Sequence, residues 1–389
     1  MNFIKILQKV SNAYIALCML PFYKKDKNLW IIGGHHGQLY TDNAKVFYEY
    51  ILREHKDIDI VWMVNKHAPV FNEIKDRKII KGSIAGYLAF YEAKISLFSN
   101  TFNSDIAPYA FVLPFVRHYY HKQFKVYLGH GTVSFKKMPT FIGIRERIKI
   151  QIFNSYNLAI AATELEMKVM EESYGIQKSA IVLSGSARHD VLDNIETCEK
   201  TILIAPTWRP WLHKKTSLRE TEFFREYAQL LSDKKFNKHI EKNNITVKFY
   251  LHHMFHTFEN EFKVYENDSI ILLNDKVNIA KEIMSASLLI TDYSSISSDF
   301  YYLEKPVLFF QFDKLEYMQK IGSEIDLNAT DFGVVTSTVK LLVNKLCMVT
   351  STHYKISSEQ KKGERFFSYF HDKNNCKRIY NSIIKKTGH

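Results

Sequence analysis

"SLLITDYSSISSDFYYLEKPVLFF", Ser287 to Phe310, holds the pattern that decides the fold. An apolar run stops at Asp292, passes the serines 294, 295, 297 and 298, turns aromatic, and meets a second apolar run after Pro306. Continuous apolar runs, as opposed to alternating ones, read as strands buried on both faces. The stretch between them opens with short polar residues that favour turns and helix N-caps, so it reads as a helix. Strand, polar turn, helix and strand in that order make the unit of a parallel sheet.

The same unit recurs along the chain. "NLWIIGGHHG" (28–37), "IDIVWMVNK" (58–66), "ISLFSNT" (95–101), "KVYLGHGT" (125–132) and "LAIAATE" (158–164) form a first series, each ending in polar or glycine-rich punctuation. "TILIAPTWR" (201–209), "ITVKFYLHH" (245–253), "LLITDYSS" (288–295) and "PVLFFQFD" (306–313) form a second. The polar stretch "DNIETCEK" (193–200) separates them, and 389 residues exceed what one core usually supports. The expected architecture is α/β, two doubly wound parallel-sheet domains facing a cleft, with domains at 27–195 and 196–389. Ligands of such sheets bind beyond the carboxyl ends of the strands, which is where the polar punctuation lies.

Composition narrows the partners. The 53 Lys and Arg against 41 Asp and Glu give a net charge of +12, which calls for an anionic partner: nucleic acid, a membrane surface or a phosphate-rich substrate. No nucleic-acid recognition motif is present, which makes nucleic acid the weakest of the three. Cys18, Cys198, Cys347 and Cys376 are scattered without CxxC pairing, so neither a zinc site nor a disulfide framework is expected, and a reducing cytoplasm fits. At the N-terminus, "MNFIKILQKVSNAYIALCMLPFYKK" carries an apolar stretch between Lys9 and Lys24 shorter than the roughly 20 residues of a transmembrane helix. Residues 1–26 therefore read as an interfacial, membrane-binding helix.

The strand ends supply the chemistry. His130 leaves its strand between Gly129 and Gly131, which let the backbone turn sharply and leave the imidazole uncovered, a setting for a general base; Lys136 and Lys137 follow. "GSARHDVL" (185–192) offers Arg188 and Asp190 at a strand-to-helix turn. Thr207 and Arg209 end the next strand, where a guanidinium suits phosphate oxygens. His252, His253 and His256 lack an acidic or Cys partner at ligand spacing, which favours phosphate contact over a metal. Asp292, Ser294 and Ser295 open a helix whose first-turn N–H groups suit a diphosphate.

"GHGTVSFKK", "GSARHDVL", "ILIAPTWR", a histidine after the next strand, and the stretch from Val277 to Phe310 occur in the order seen in the CDP-glycerol glycerophosphotransferases, the teichoic acid primases and polymerases, which the chain resembles from about Lys125 to Asp313. "GQLYTDNAKVFYEYI" (37–51) resembles that family's N-terminal "SDNPK" segment more weakly. The resemblance implies a GT-B fold with an N-terminal acceptor domain and a C-terminal nucleotide-donor domain. It implies transfer of glycerol or ribitol phosphate from a CDP-polyol to a lipid-linked or polyanionic glycan acceptor, with no metal site or other cofactor, peripherally at the cytoplasmic face of the membrane. By motif, His130 corresponds to the base, and Arg209, His252 or His253, Ser294 and Ser295 to the donor phosphate site. Tyr250 and His253 stand where the family has Arg and Pro when His252 is aligned, and His189 where it tends to have Asn. The alternatives are a GT-B glycosyltransferase using a nucleotide sugar, and a non-catalytic polyanion-binding protein, which would not need His130 between glycines.

Overall fold

A computed structural model describes residues 3–23, 28–110, 112–131, 135–137, 156–195, 200–212, 217–274, 277–327 and 333–388. Among them lie thirteen strands in two all-parallel sheets. The first sheet comprises β1 (Leu29–Gly33), β2 (Asp59–Val64), β3 (Lys78–Ile80), β4 (Ile95–Phe98), β5 (Phe124–Tyr127), β6 (Leu158–Ala161) and β7 (Ile181–Leu183), in the order 3-2-1-4-5-6-7. The second comprises β8 (Lys200–Ile204), β9 (Ile245–Tyr250), β10 (Ile270–Leu273), β11 (Leu288–Thr291), β12 (Val307–Phe310) and β13 (Val334–Thr336), in the order 10-9-8-11-12-13.

The apolar runs explain this directly. In β1, Leu29 and Ile31 join one hydrophobic cluster while Trp30 and Ile32 join another, and in β2 Val61 and Met63 part in the same way from Ile60 and Trp62. Side chains alternate across a strand, so a continuous apolar run feeds two cores, one on each face of the sheet. Each fully buried side chain of this size contributes about 1.5–3 kcal/mol. In both sheets the chain winds outward from a central strand, returns, and winds outward the other way. The switch points therefore fall between β1 and β4 and between β8 and β11.

The chain divides into two compact units: Met1–Thr132, Thr140–Val191 and Phe370–His389 form one, and Val133–Pro139 with Leu192–Tyr369 form the other. The helix Asn375–Thr387, expected within 196–389, belongs to the first unit. Asn375–Thr387 packs on the first unit, with Cys376, Ile379 and Ile383 buried in the cluster that holds Trp30 and Trp62. Its N-terminus is seated by Asp190, whose carboxylate accepts from the Asn375 and Cys376 amides at 2.9 and 2.7 Å.

Residues Phe3–Met19 form a helix continued by a 3₁₀ turn to Phe22, 20 residues in all and longer than the sequence led us to expect. By length and composition it could cross a membrane. One face is nonetheless committed to the first unit. Ala13 and Ala16 are buried, the Tyr91 hydroxyl donates to the Ala13 carbonyl at 2.8 Å, and Asn12 donates to the Gly82 carbonyl at 3.0 Å. Phe3, Ile4, Leu7, Met19 and Phe22 are exposed.

Candidate active site

In the first unit a buried carboxylate organises the switch point. Asp105, fully buried, accepts from the amides of Ser99 (3.0 Å) and Asn100 (2.7 Å) after β4, and from the amide of His36 (2.9 Å) after β1. The two loops are thereby tied together. A Cβ at Gly33 would sit 2.4 Å from the Asp105 carbonyl oxygen, so only glycine lets β1 end here. Beyond it, His35 and His36 adopt left-handed φ values of 46° and 57°, a strained arrangement for residues with side chains. Lys81, its ammonium pushed down to about 8 by burial despite the opposing charge of Asp105, donates to the His36 carbonyl at 2.6 Å.

On this frame stands His130. Gly129 (φ 69°) and Gly131 (φ 119°) make the turn, and Nδ1 of His130 lies 2.9 Å from the Ser99 carbonyl. A carbonyl only accepts, so Nδ1 carries the hydrogen and the neutral ring keeps its lone pair on Nε2, on an exposed side chain. That is the tautomer a general base needs. The ring of His35 packs edge-on against that of His130, with centroids 6.0 Å apart.

Asn43, buried at the start of the helix Asp42–Glu54, binds the His130 loop to its neighbour. Its amide donates to the Leu128 and Gly129 carbonyls at 3.1 and 3.3 Å, and its oxygen accepts from the Arg188 amide at 3.0 Å. Asp42 adds charge: its carboxylate lies 3.3 Å from the Arg188 guanidinium and 3.7 Å from Nε2 of His35. Burial works against the ionised form, but Arg188, His35 and His130 outweigh it and hold the Asp42 carboxyl well below its usual range. Of the residues expected around the acceptor, Arg188 joins this cluster. Asp190 is turned to the C-terminal helix instead, both of its oxygens being taken by backbone amides. Lys136 and Lys137 belong to the second unit, exposed, with the Lys137 amide donating to the Gly322 carbonyl at 3.1 Å.

The second unit repeats the device with different chemistry. Asp292, fully buried, accepts from the amides of Thr207 (2.8 Å) after β8 and Tyr293 (2.6 Å) after β11. Arg209 is also fully buried and all three of its guanidinium nitrogens are engaged. Nε and Nη2 reach Asp313 at 2.7 and 3.0 Å, Nη2 approaches Asp292 at 2.8 Å, and Nη1 donates to the Thr207 carbonyl at 2.7 Å. Burial opposes its charge, but Asp292 and Asp313 overcome this and push its pKa above the ordinary arginine value. The rings of Tyr293 and Tyr317, stacked 3.6 Å apart, flank it at 5.2 Å each. The expected bidentate grip of Arg209 on a phosphate is therefore not available in this arrangement, because two buried carboxylates already occupy the fork.

The remaining residues expected at the donor site are exposed to different degrees. Ser294 and Ser295 are partly exposed and precede the helix Ile296–Tyr302, while Ser297 and Ser298 return their hydroxyls to the carbonyls of Ser294 and Ser295 at 2.8 and 2.7 Å. Thr207 keeps a buried hydroxyl with no hydrogen-bond partner. His252 lies parallel to Trp208 at 6.2 Å, which brings the ends of β8 and β9 together. The side chains of His253 and His256 lie outside the described residues. Among the described residues, no three His, Cys, Asp or Glu side chains gather as metal ligands.

The model of the family described as CDP-glycerol:poly(glycerophosphate) glycerophosphotransferase matches residues 14–385. The chain belongs to that family. It is 26% identical over 368 residues to the minor teichoic acid biosynthesis protein GgaB of Bacillus subtilis, covering 88% of this chain but 38% of GgaB. It is 22% identical to the teichoic acid glycerol-phosphate transferase of Staphylococcus aureus, across 98% of both chains. Among solved structures, the wall teichoic acid polymerase TagF aligns with a TM-score of 0.71 at 17% identity, over 98% of this chain and 97% of that one. A UDP-bound S. aureus MnaA aligns with a TM-score of 0.56 at 14% identity, over 93% and 97%. This glycerophosphotransferase-family chain thus shares its GT-B-like fold with both.

Proposed function

We propose that this chain moves a polyol phosphate, glycerol or ribitol phosphate, from a CDP-polyol to a hydroxyl of a lipid-linked or polymeric cell-surface glycan, releasing CMP. The observation that carries the reading is His130: an exposed histidine on a glycine-flanked strand end, its Nδ1 fixed on the Ser99 carbonyl so that the neutral ring keeps its lone pair on Nε2. Nε2 takes the proton of the acceptor hydroxyl as that oxygen attacks the β-phosphorus. The bond from the β-phosphorus to the bridging oxygen breaks, and CMP leaves with the electron pair. The first unit is the acceptor domain, with Arg188 beside the base. The second is the donor domain, where the Ser294 and Ser295 hydroxyls, Thr207 and His252 meet the diphosphate and Arg209 holds their loops in shape. This assigns Arg209 a framing role in place of direct phosphate contact.

The N-terminal helix supports a peripheral position on the cytoplasmic face of the membrane: one face is packed on the fold and the exposed face carries Phe3, Ile4, Leu7 and Phe22 beside Lys5. Replacing those four apolar residues by serine should abolish flotation with anionic liposomes and leave the melting temperature unchanged, whereas flotation that survives would remove the membrane placement. For the reaction itself, the protein is incubated with CDP-glycerol, CDP-ribitol or UDP-N-acetylglucosamine and a teichoic acid acceptor. CMP release from a CDP-polyol is expected. Turnover of the nucleotide sugar alone would favour a glycosyltransferase.

A further inference from the structure

Resting on the reading of the first unit as the acceptor domain, we propose that His35 and His36 form a turn that binds a phosphate group of the acceptor beside His130. The two histidines stand in the run "GGHHG" (33–37), and His35, His36 and Gly37 take left-handed φ values of 46°, 57° and 72° in succession. Glycine adopts that conformation freely, whereas a residue with a side chain is strained in it. Such strain persists only where the surrounding structure imposes it, and it gathers at ligand-contacting positions. The ends of β2, β3 and β4 impose it here. The His35 amide donates to Asn100 Oδ1 at 2.9 Å and the His36 amide to Asp105 Oδ1 at 2.9 Å, both beyond β4. The His36 carbonyl accepts from Lys81 Nζ at 2.6 Å, just after β3, and from Asn65 Nδ2 at 2.8 Å, just after β2.

With its backbone fixed in this way, the turn leaves its imidazoles uncommitted. The His36 side chain is exposed, and among the described residues no hydrogen bond ties its ring to the protein. Nε2 of His35 is buried without a hydrogen-bond partner among the described residues, the Asp42 carboxylate lying 3.7 Å away. The His35 ring packs against that of His130 within the same unit, so the turn adjoins the base directly. The carboxylates of the group are already engaged: Asp42 lies 3.3 Å from the Arg188 guanidinium, and Asp105 accepts from backbone amides. Imidazole donates through N–H and takes a positive charge near neutral pH, so two of them close to an arginine suit phosphate oxygens. The place also fits a ligand, since the turn lies beyond the carboxyl end of β1, at the switch to β4. In an acceptor that ends in a polyol phosphate, the turn holds the phosphate while His130 takes the proton of the hydroxyl.

His36→Gly and His36→Asn separate the imidazole from the turn that carries it. Glycine takes a φ of 57° freely and asparagine tolerates it, so both variants keep the fold, and the glycine variant should have a urea midpoint no lower than that of the parent. Calorimetric titration with a glycerol phosphate oligomer should show binding to the parent and roughly tenfold weaker binding to both variants. The Kd for CDP-glycerol should stay within about twofold, because the donor belongs to the other unit. Inorganic phosphate should compete with the oligomer on the parent. A parent that does not bind the oligomer, or variants that bind it as tightly as the parent, would overturn the turn as a phosphate site. A glycine variant that loses stability would do the same by making His36 structural, and an equal loss of CDP-glycerol affinity would make it a donor contact. Oligomer binding that depends on His36 in a protein that releases no CMP from a CDP-polyol would instead overturn the proposed function and leave the turn standing.

Discussion

The two switch points are built alike and used differently. Each sheet ties the loop after its first central strand to the loop after its fourth-formed strand with one buried aspartate: Asp105 in the first unit, Asp292 in the second. Around Asp105 the functional groups remain open. His130 is exposed, His35 and His36 are held in strained conformations, and Asp42 shares its charge with Arg188. Around Asp292 the charges are engaged internally: Arg209 pairs with both Asp292 and Asp313 beside two stacked tyrosines. The lesson is that charge at a strand end is not by itself a binding group. In the first unit it lies beside an exposed histidine, and in the second it makes a frame beneath partly exposed serines.

The largest effect is expected where the frame is cut. Arg209→Ala leaves Asp292 and Asp313 buried without a counter-charge and should cost about 3–5 kcal/mol of stability, read as a lower urea midpoint. If stability holds and only CDP-glycerol affinity falls, Arg209 is a phosphate ligand and the contrast between the units collapses. Next comes His130→Ala, for which turnover should drop roughly 100-fold with an unchanged melting temperature. A change in stability without one in turnover would return His130 to a structural role.

Asn43→Ala sharpens the first half of the comparison. It strips three hydrogen bonds from the His130 and Arg188 loops, and should cost about 1–3 kcal/mol together with part of the turnover. A variant with full stability would show that the loops hold each other without it. The smallest effect belongs to Ser294→Ala combined with Ser295→Ala, which should weaken CDP-glycerol binding by about tenfold, about 1.4 kcal/mol, and leave the urea midpoint in place. Intact binding in that double variant would place the donor elsewhere.

How much of this was legible follows from burial. All nine apolar runs picked out in the sequence are strands; most are covered on both faces and so continuously apolar, while β9 alternates buried and half-buried residues. The four strands not read in advance, β3, β7, β10 and β13, are the sheet edges. They are three or four residues long and only partly buried, so their apolar runs are too short to stand out as strands. The exposed turn at His130 could be read because its glycines are adjacent in sequence. Asp105 and Asp313 could not, since their partners lie far along the chain: His36 for one, Arg209 for the other. Arg209 misled for the same reason, because the sequence shows a cation at a strand end and conceals the carboxylates that close over it. Asn43 had a signal in "TDNAK", but its role appears only when Leu128 and Arg188 are brought beside it.

The central claim is a division of labour, with the base in the first unit and the donor site in the second. Calorimetric titration of CDP-glycerol into His130→Ala tests it most directly. The account predicts a Kd within about twofold of the parent, since His130 acts only when the acceptor hydroxyl ionises. A Kd weakened by roughly tenfold or more would make His130 a donor ligand and contradict the division.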